Sequence, residues 1–196
     1  MPSPNQSQPF LENSPEDSDP DVLLMKEVAT GDEAALRMLI QKWQNPLINF
    51  FYRSLQSREQ AEDLTQILFV KLYQAAPRYK TTAKFSTYLF AIARRLLINE
   101  YRRSQRKPLN LVDPAEMQGS ISGRKELERM EIEEAFQLAL RELPENHREA
   151  LLLYKQQELS YQEIGEILGV PESSVKTWIF RARQRLKESL KDLFQS

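Results

Sequence analysis

A basic segment near the C-terminus holds the side chains best suited to bind a polyanion. Residues 172–187, ESSVKTWIFRARQRLK, contain five bases and one acid. At about 100° per residue, one helical face of this segment is apolar, and it comprises Val175, Ile179, Ala182 and Leu186. Arginine and lysine on the opposite face can donate hydrogen bonds to guanine O6 and N7 or to phosphates. The pattern predicts a helix that buries one face and binds DNA with the other, the alternative being a solvated charged face.

A second basic segment, residues 93–107, combines arginines with aromatic side chains. The helix that contains it is predicted to bury Phe85, Leu89, Ile92 and Leu96. Its other side is predicted to carry Phe90, Arg94, Arg95, Tyr101 and Arg102. Cations that follow phosphates, next to rings that stack on unpaired bases, are typical of single-stranded DNA binding.

The helix over residues 61–75 has a predicted core stripe of Ala61, Leu64, Leu68, Leu72 and Ala75. The arc outside that stripe is predicted to hold Asp63, Gln66, Phe69, Val70 and Tyr73. Apolar side chains outside a core stripe either pack against another helix of the same domain or form a docking surface.

The composition excludes several classes of site. The chain has 196 residues, no cysteine and one histidine, so disulfides, thiolate zinc sites and thiol switches are excluded. No glycine-rich phosphate loop, no nucleophile with a paired histidine and no metal-ligand cluster is evident. The N-terminus lacks a signal-peptide pattern and no apolar run could span a bilayer, so a cytoplasmic protein without a cofactor is expected.

Helix-forming residues dominate, and no sustained alternation predicts a strand. The predicted fold class is all-α, with two small helical domains joined by a flexible linker. The predicted boundaries are a disordered acidic tail at 1–20, a first domain at 21–106, the linker at 107–123 and a second domain at 124–196. In the first domain we expect helix breaks near Gly31 and Pro46, and an N-cap at Ser57.

The second domain has the punctuation of a helix-turn-helix. Ser160 and Glu163 form an S-x-x-E capping box that starts a short helix. Gly169 ends that helix, and Pro171 suits the first turn of the next one. This geometry places the second, basic helix in the major groove of DNA.

Two segments together resemble a known protein family. Residues 142–186, which contain LSYQEIGEILGVPESSVKTWIFRARQRL, resemble region 4 of bacterial sigma factors. Residues 61–106, which contain AEDLTQILFVKLYQAAPRYKTTAKFSTYLF, resemble region 2. With only a short linker between them, they resemble the extracytoplasmic-function (group 4) sigma factors over roughly residues 21–190.

The resemblance implies a subunit of RNA polymerase that does no chemistry itself. Its expected partners are core polymerase, through the β′ clamp helices and the β flap, promoter DNA and an anti-sigma factor. The alternatives are a helix-turn-helix regulator that binds duplex operators without polymerase and, as the weakest, an enzyme. The acidic tail would either shield the basic faces or be inert.

The resemblance also assigns the side chains to three surfaces. For the −35 element, the residues are Ser173, Ser174, Lys176, Thr177, Phe180, Arg181 and Arg183. For the −10 element, including a loop that receives a flipped base, they are Lys80, Thr81, Thr82, Lys84, Tyr88, Arg94, Arg95 and Arg102. For core polymerase, they are Asp63, Gln66, Phe69, Val70 and Tyr73.

The sequence departs from the usual family pattern at three of its positions. Ile67 stands where an acid is usual, Tyr88 where tryptophan is common and Arg95 where asparagine is common. Of the other conspicuous side chains, Trp178 is expected in the core and His147 on the surface.

Phe180 is the one large ring predicted in the middle of the polar face of the basic C-terminal helix. Phe180→Ala should weaken binding to −35 DNA and leave the fold intact, because the ring is placed to contact a thymine methyl group or a sugar edge. Duplex binding and circular dichroism measure the two effects. Unfolding of the second domain would instead place the ring in the core.

Overall fold

A computed structural model describes residues 19–106, 124–155 and 159–191. Regular structure in these ranges is helical, which confirms the all-α fold class. The helices are α1 (Pro20–Ala29), α2 (Glu33–Leu55), α3 (Arg58–Ala75), α4 (Phe85–Arg106), α5 (Arg124–Arg141), α6 (Glu145–Tyr154), α7 (Tyr161–Leu168) and α8 (Glu172–Ser189), with a 3₁₀ turn at Ala76–Arg78. Residues 1–18 of the predicted tail and the predicted linker at 107–123 lie outside the described residues.

Side-chain caps define where several helices start. Ser57 accepts a hydrogen bond from the Gln60 backbone N–H at 3.3 Å, as predicted for the N-cap of α3. Asp19 caps two helices at once: Oδ1 accepts from Asp21 N and Oδ2 accepts from Phe85 N, each at 3.0 Å. One carboxylate therefore satisfies otherwise unpaired donors at the starts of both α1 and α4 and holds these starts together.

The expected break at Gly31 is present, whereas the expected break at Pro46 is wrong. Gly31 has a φ of 94° between α1 and α2, a conformation that glycine adopts without a Cβ clash. Pro46 lies inside a continuous α2. A proline inside a helix costs about 3 kcal/mol, but Trp43 and Leu47 on either side of it are buried in the core. Tertiary packing on both sides of Pro46 therefore keeps the helix intact.

The core of α1–α4, the first helical group, is built around aromatic rings. Phe90 contacts Trp43 and Phe50 edge-on, with centroids 6.1 and 5.5 Å apart. Phe85 and Leu89 are fully buried as expected, Leu96 is buried and Ile92 is half-buried. Phe90 is fully buried too, so its predicted place on the arginine-bearing side of α4 is wrong. The buried face of α4 is wider than the i, i+4 stripe because α2, α3 and α7 all pack against this helix.

The second helical group, α5–α8, contains the predicted helix-turn-helix. The capping box is formed, with Ser160 Oγ accepting from Glu163 N and Glu163 Oε2 accepting from Ser160 N. Gly169 ends α7 with a φ of 66°. Pro171 is the N-cap of α8, one position before the helical turn in which it was expected. The predicted apolar face of α8 is buried, and it comprises Val175, Ile179, Ala182 and Leu186.

The two helical groups pack against each other. The main contact is between α4 and α7, and the C-terminal part of α2 contacts α5 and α6. Because α7 is the first helix of the helix-turn-helix, this contact places the predicted −35 unit next to the predicted −10 helix.

Gly165 is a point of close backbone approach within the helix-turn-helix. A Cβ at this position would lie 2.7 Å from the carbonyl oxygen of Val170 in the turn. We expect Gly165→Ala to lower the free energy of unfolding by about 1–3 kcal/mol, because the turn backbone would have to move away.

Urea denaturation of Gly165→Ala next to Glu166→Ala measures this effect. Glu166 is exposed on the same helix, so its truncation should stay within about 0.5 kcal/mol of the parent. Equal stability of the two variants would contradict the close approach.

Candidate nucleic-acid and polymerase interfaces

The side of α8 that faces away from the core, the α8 outer face, is polar and open to solvent. Phe180 has 62% of its surface exposed, and Lys176, Thr177 and Arg181 beside it are exposed. Ser173 and Arg183 are also exposed, and Ser174 is half-buried. The predicted −35 residues therefore share one accessible surface with the phenylalanine ring near its middle. Their contacts with DNA remain a prediction.

Two tyrosines that the sequence patterns did not single out position the cations of this face. Tyr154 and Tyr161 stack with centroids 5.2 Å apart and planes 10° apart. Arg183 lies over the Tyr154 ring at 4.7 Å, and Lys176 lies over the Tyr161 ring at 5.6 Å. These cation–π contacts restrict the two cations, which stand seven residues apart on α8. A spacing of seven residues is about two helical turns and places both cations on the same side of α8. This spacing was the sequence feature that could have indicated a common neighbour for them.

Lys176 has a further partner on its own helix. Its Nζ lies 2.6 Å from Glu172 Oε1, and this hydrogen bond raises the pKa of the lysine above its usual value. The Thr177 hydroxyl donates to the Ser173 carbonyl at 2.9 Å. The lysine keeps two further N–H donors and the threonine hydroxyl can still accept a hydrogen bond, so base contacts can be added to these intramolecular bonds.

Trp178 and His147 form a small cluster beside the α8 outer face. Their rings are 6.1 Å apart, and both side chains are half-buried. Burial, followed by the nearby Arg181 charge, lowers the pKa of His147 below its usual value. Trp178 packs against the core as expected. His147 was expected on the surface, but its side chain is half-buried.

The predicted −10 residues lie in the loop before α4 and along that helix. Lys80, Thr82, Arg95 and Arg102 are exposed, and Thr81 is half-buried. Tyr88 is half-buried with its ring 5.0 Å from that of Tyr79, and burial raises its pKa while Arg95 opposes this. This arrangement agrees with the expectation that Tyr88 lies near the edge of the core.

Two of the predicted −10 cations are bound to acids of the second helical group. Arg94 Nε donates to Glu149 Oε2 at 3.1 Å, and Arg94 Nη1 donates to the Ile167 carbonyl at 3.2 Å. Lys84 Nζ lies 3.2 Å from Glu163 Oε1. Sequence patterns within one helix carry no signal for these long-range pairs. The basic side of α4 is therefore partly covered in this arrangement.

The side of α3 that faces solvent, the α3 outer face, lines a shallow open groove with apolar and polar side chains. Val70 and Tyr73 are about half exposed, at 55% and 51%, and Ile67 is 43% exposed. The groove itself is lined by Asp63, Gln66, Ile67, Val70, Lys71 and Gln74. Exposed apolar side chains grouped in this way are typical of docking surfaces.

Phe69 does not belong to the α3 outer face. Its ring is buried, with 9% of its surface exposed, so its predicted accessibility to polymerase is wrong. Thr65 and Leu72, one turn away on either side, are also buried. Because α3 packs against both α2 and α4, its buried arc is wide enough to include Phe69. Phe69 therefore packs against other helices of its own domain, which was the alternative to a docking surface.

Neither a metal-binding cluster nor a membrane-spanning helix is present in the described part of the chain. Over 19–106, 124–155 and 159–191, no group of three or more His, Cys, Asp or Glu side chains could hold a metal ion. No described helix combines the length and the apolar character needed to cross a membrane.

Family comparisons match both helical groups. The family model described as sigma-70 region 2 matches residues 39–107, and the model described as sigma-70, region 4 matches residues 133–186. The two matches contain the α3 outer face, the basic side of α4 and the α8 outer face.

Whole-chain comparisons give the same result. The chain is 31% identical to the ECF RNA polymerase sigma factor SigW of Bacillus subtilis, over 86% of this chain and 96% of that protein. It is 30% identical to the ECF RNA polymerase sigma-E factor of Escherichia coli K12, over 89% of this chain and 96% of that protein.

Solved structures share the fold. CnrH in complex with the cytosolic domain of CnrY matches with a TM-score of 0.66 at 21% identity, covering 88% of this chain and 97% of that chain. The sigma factor RpoE of Bartonella quintana, in complex with the anti-sigma factor NepR, matches with a TM-score of 0.61 at 24% identity, over 79% of this chain and 96% of that chain. Because the two ECF sigma factors SigW and sigma-E are each at least 30% identical to it over more than four fifths of its length, and both family regions are present in order, the chain belongs to the extracytoplasmic-function (ECF) RNA polymerase sigma factors.

Proposed function

We propose that this sigma factor docks on core polymerase through the α3 outer face and reads promoter DNA through α8 and α4. The observation that supports it most is the exposure of Val70 and Tyr73 on α3, on a helical group that carries no helix-turn-helix. The hypothesis of a regulator that binds duplex operators without polymerase leaves this apolar surface unexplained. This observation favours the polymerase subunit over the helix-turn-helix regulator.

The α8 outer face supplies the −35 contacts in this proposal. Lys176, Thr177 and Arg181 reach base edges in the major groove, where each good bidentate pair discriminates by about 1–3 kcal/mol. Ser173, Ser174 and Arg183 bind phosphates and set the register of the helix. The exposed Phe180 ring supplies an apolar contact between these polar groups.

The loop before α4 and the basic side of that helix supply the −10 contacts. Arg95 and Arg102 are exposed cations along the helix, suited to follow the phosphates of a separated strand. Lys80, Thr81 and Thr82, with Lys84, surround the position of a flipped base in the loop. Tyr88 lies beside them, at the edge of the core.

The remaining parts of the proposal concern partners and chemistry. The two solved structures similar to this fold are complexes, one with the cytosolic domain of CnrY and one with an anti-sigma factor. We propose that an anti-sigma factor also binds this chain. The chain acts in the cytoplasm, where core polymerase is found, and does no catalysis of its own. The β flap is the polymerase element proposed to hold the second helical group.

Run-off transcription with purified core polymerase tests the proposed function. Genomic templates incubated with core polymerase and this protein should yield transcripts from defined start sites. Core polymerase alone is the control. Transcripts that do not depend on the protein, together with tight binding of the free protein to duplex operators, would contradict it and favour the regulator.

Substitution on the α3 outer face tests the docking surface. Val70→Lys should weaken binding to core polymerase by about 1–2 kcal/mol, as expected for a change at an interface anchor. Met38→Lys is the matched control, because Met38 on α2 is also 55% exposed and the added charge is the same. Fluorescence anisotropy of labelled protein with core polymerase measures both affinities. Equal affinities of the two variants would exclude α3 as the docking surface.

A further inference from the structure

The start of α4 takes its capping group from a distant part of the chain. Lys84 precedes the helix, and its carbonyl accepts the first helical hydrogen bond, from Tyr88 N at 3.2 Å. A lysine side chain has donors only, so it cannot satisfy the unpaired backbone N–H groups of the first turn. Asp19 Oδ2 accepts from Phe85 N at 3.0 Å instead, across 66 positions of sequence. The position at which α4 begins therefore depends on Asp19.

The same carboxylate is fixed in place by α1. Its other oxygen, Oδ1, accepts from Asp21 N at 3.0 Å and caps α1. The Asp19 carbonyl accepts from Val22 N at 3.0 Å, which adds a backbone bond to the same turn. Because one rigid carboxylate bonds to both helices, the first residue of α4 is held at a set position relative to the first turn of α1.

A second aspartate of this turn holds the side chain of Phe85. Asp21 is buried, and its Oδ2 accepts from Trp43 Nε1 at 3.0 Å and lies 2.6 Å from Lys42 Nζ. The Trp43 ring packs against the Phe85 ring, with centroids 6.1 Å apart. Phe85 is thus held through its backbone by Asp19 and through its ring by the indole that Asp21 orients.

Both ends of the loop before α4, residues 79–84, are fixed in this way. The 3₁₀ turn Ala76–Arg78 leads into the loop and packs against α1. The Tyr79 ring, at the beginning of the loop, lies 6.5 Å from the Phe85 ring just after its end. The chain that precedes the loop and the chain that follows it are therefore both anchored on the turn that carries Asp19.

The anchored loop carries the side chains of the proposed base-binding site. Lys80, Thr82 and Lys84 are exposed, and Thr81 is half-buried. A loop with fixed ends has fewer conformations to lose when it orders around a ligand. Pre-organisation of this kind increases affinity without any new contact to the ligand.

We propose that Asp19 is a positioning residue for the proposed −10 site, because it pins the end of the loop that receives an unpaired base. Asp19 itself does not touch the DNA. Its two hydrogen bonds keep the loop in the conformation that binds a separated strand. The inference rests on the proposed function, since it concerns the geometry of the proposed −10 site.

The test compares Asp19→Ser with the matched control Asp32→Ser. Serine is a good N-cap, so its single oxygen can still cap α1, whereas Phe85 N loses its acceptor. Asp32 caps α2 with one oxygen, which accepts from Ala34 N at 2.7 Å and from Ala35 N at 3.2 Å. Serine can therefore replace Asp32, and both substitutions remove one negative charge from an N-cap of the first helical group.

Three properties of the full-length proteins are measured. Hydrogen exchange at the Phe85 amide reports the bond to Asp19 directly. Fluorescence anisotropy gives the affinity for an oligo-dT strand and for a DNA duplex of the same length, neither of which requires a known promoter. With core polymerase, the rate of open-complex formation is measured on a promoter found by run-off transcription.

Asp19→Ser should exchange its Phe85 amide faster than the parent and should bind the oligo-dT strand about fivefold more weakly. This factor is expected when the loss of one cap lowers the population of the correctly held loop. Open-complex formation should slow by a similar factor. Duplex affinity should stay at the parent value, because the α8 outer face has no contact with Asp19. Asp32→Ser should match the parent in all of these measurements.

The direction of the change separates positioning from charge. Removing an acid beside a site for a polyanion strengthens binding by itself. Weaker strand binding by Asp19→Ser therefore has the opposite sign to the effect of the lost charge.

Three results would overturn the inference. An unchanged exchange rate at Phe85 would show that Asp19 does not hold the start of α4. Faster exchange with unchanged strand binding would show that the held loop does not matter for the strand. An equal loss of strand and duplex binding would show a general loss of structure. If urea denaturation shows that Asp19→Ser is unfolded, Asp19→Asn, which has the same shape and one acceptor oxygen, is judged by the same criteria. Absence of transcripts with the parent would count against the proposed function alone, since amide exchange and strand binding still report the positioning.

Discussion

The structure depends on the packing of α4 on two sides. On one side, Phe85 and Phe90 are buried against the rings of α2, and Asp19 ties the start of α4 to α1. On the other side, Arg94 is bound by Glu149 and Ile167 of the second helical group. The aromatic packing sets how α4 lies against α2, and so sets the direction in which the charged side of α4 faces. The loop before α4 ends at Phe85, and the burial of this ring fixes where the end of the loop lies.

The separation of charge along the chain explains how a protein with a net charge of −1 can bind DNA. Two clusters of bases lie on α4 and α8, where they form local surfaces. Acids of the second group face the bases of α4, whereas Arg181 on α8 stays exposed. Because exposed charges act mainly within about 10 Å at ordinary salt, the local surface and not the net charge governs binding. The pairing with Glu149 also explains why Arg94 is less exposed than Arg181.

Much of the fold could be predicted from local sequence signals, and the failures have one physical cause. Ser57, Glu163 and Gly169 mark helix ends through bonds or dihedral angles that involve only near neighbours, so they were readable. The errors at Pro46, Phe69 and Phe90 arose where several helices pack on one helix. A periodic pattern gives the centre of a buried face, but its width depends on how many partners surround the helix. The accessible residues of α8 were predictable because its buried face is a narrow stripe of four residues.

The sequence by itself determined the helical class, the helix-turn-helix with its apolar and basic faces, and the two family regions in their order. The helical class and the helix-turn-helix follow from local propensity, capping and periodicity, which act within a few residues, whereas the two regions were identified by their resemblance to a known family. Only the tertiary structure decided that Tyr154 and Tyr161 hold Arg183 and Lys176, and that Glu149 and Glu163 meet the cations of α4. Residues 94 and 149 are 55 positions apart, and no pattern within either helix encodes their meeting. Pairing between distant charges depends on how the two groups pack, which only the folded chain specifies.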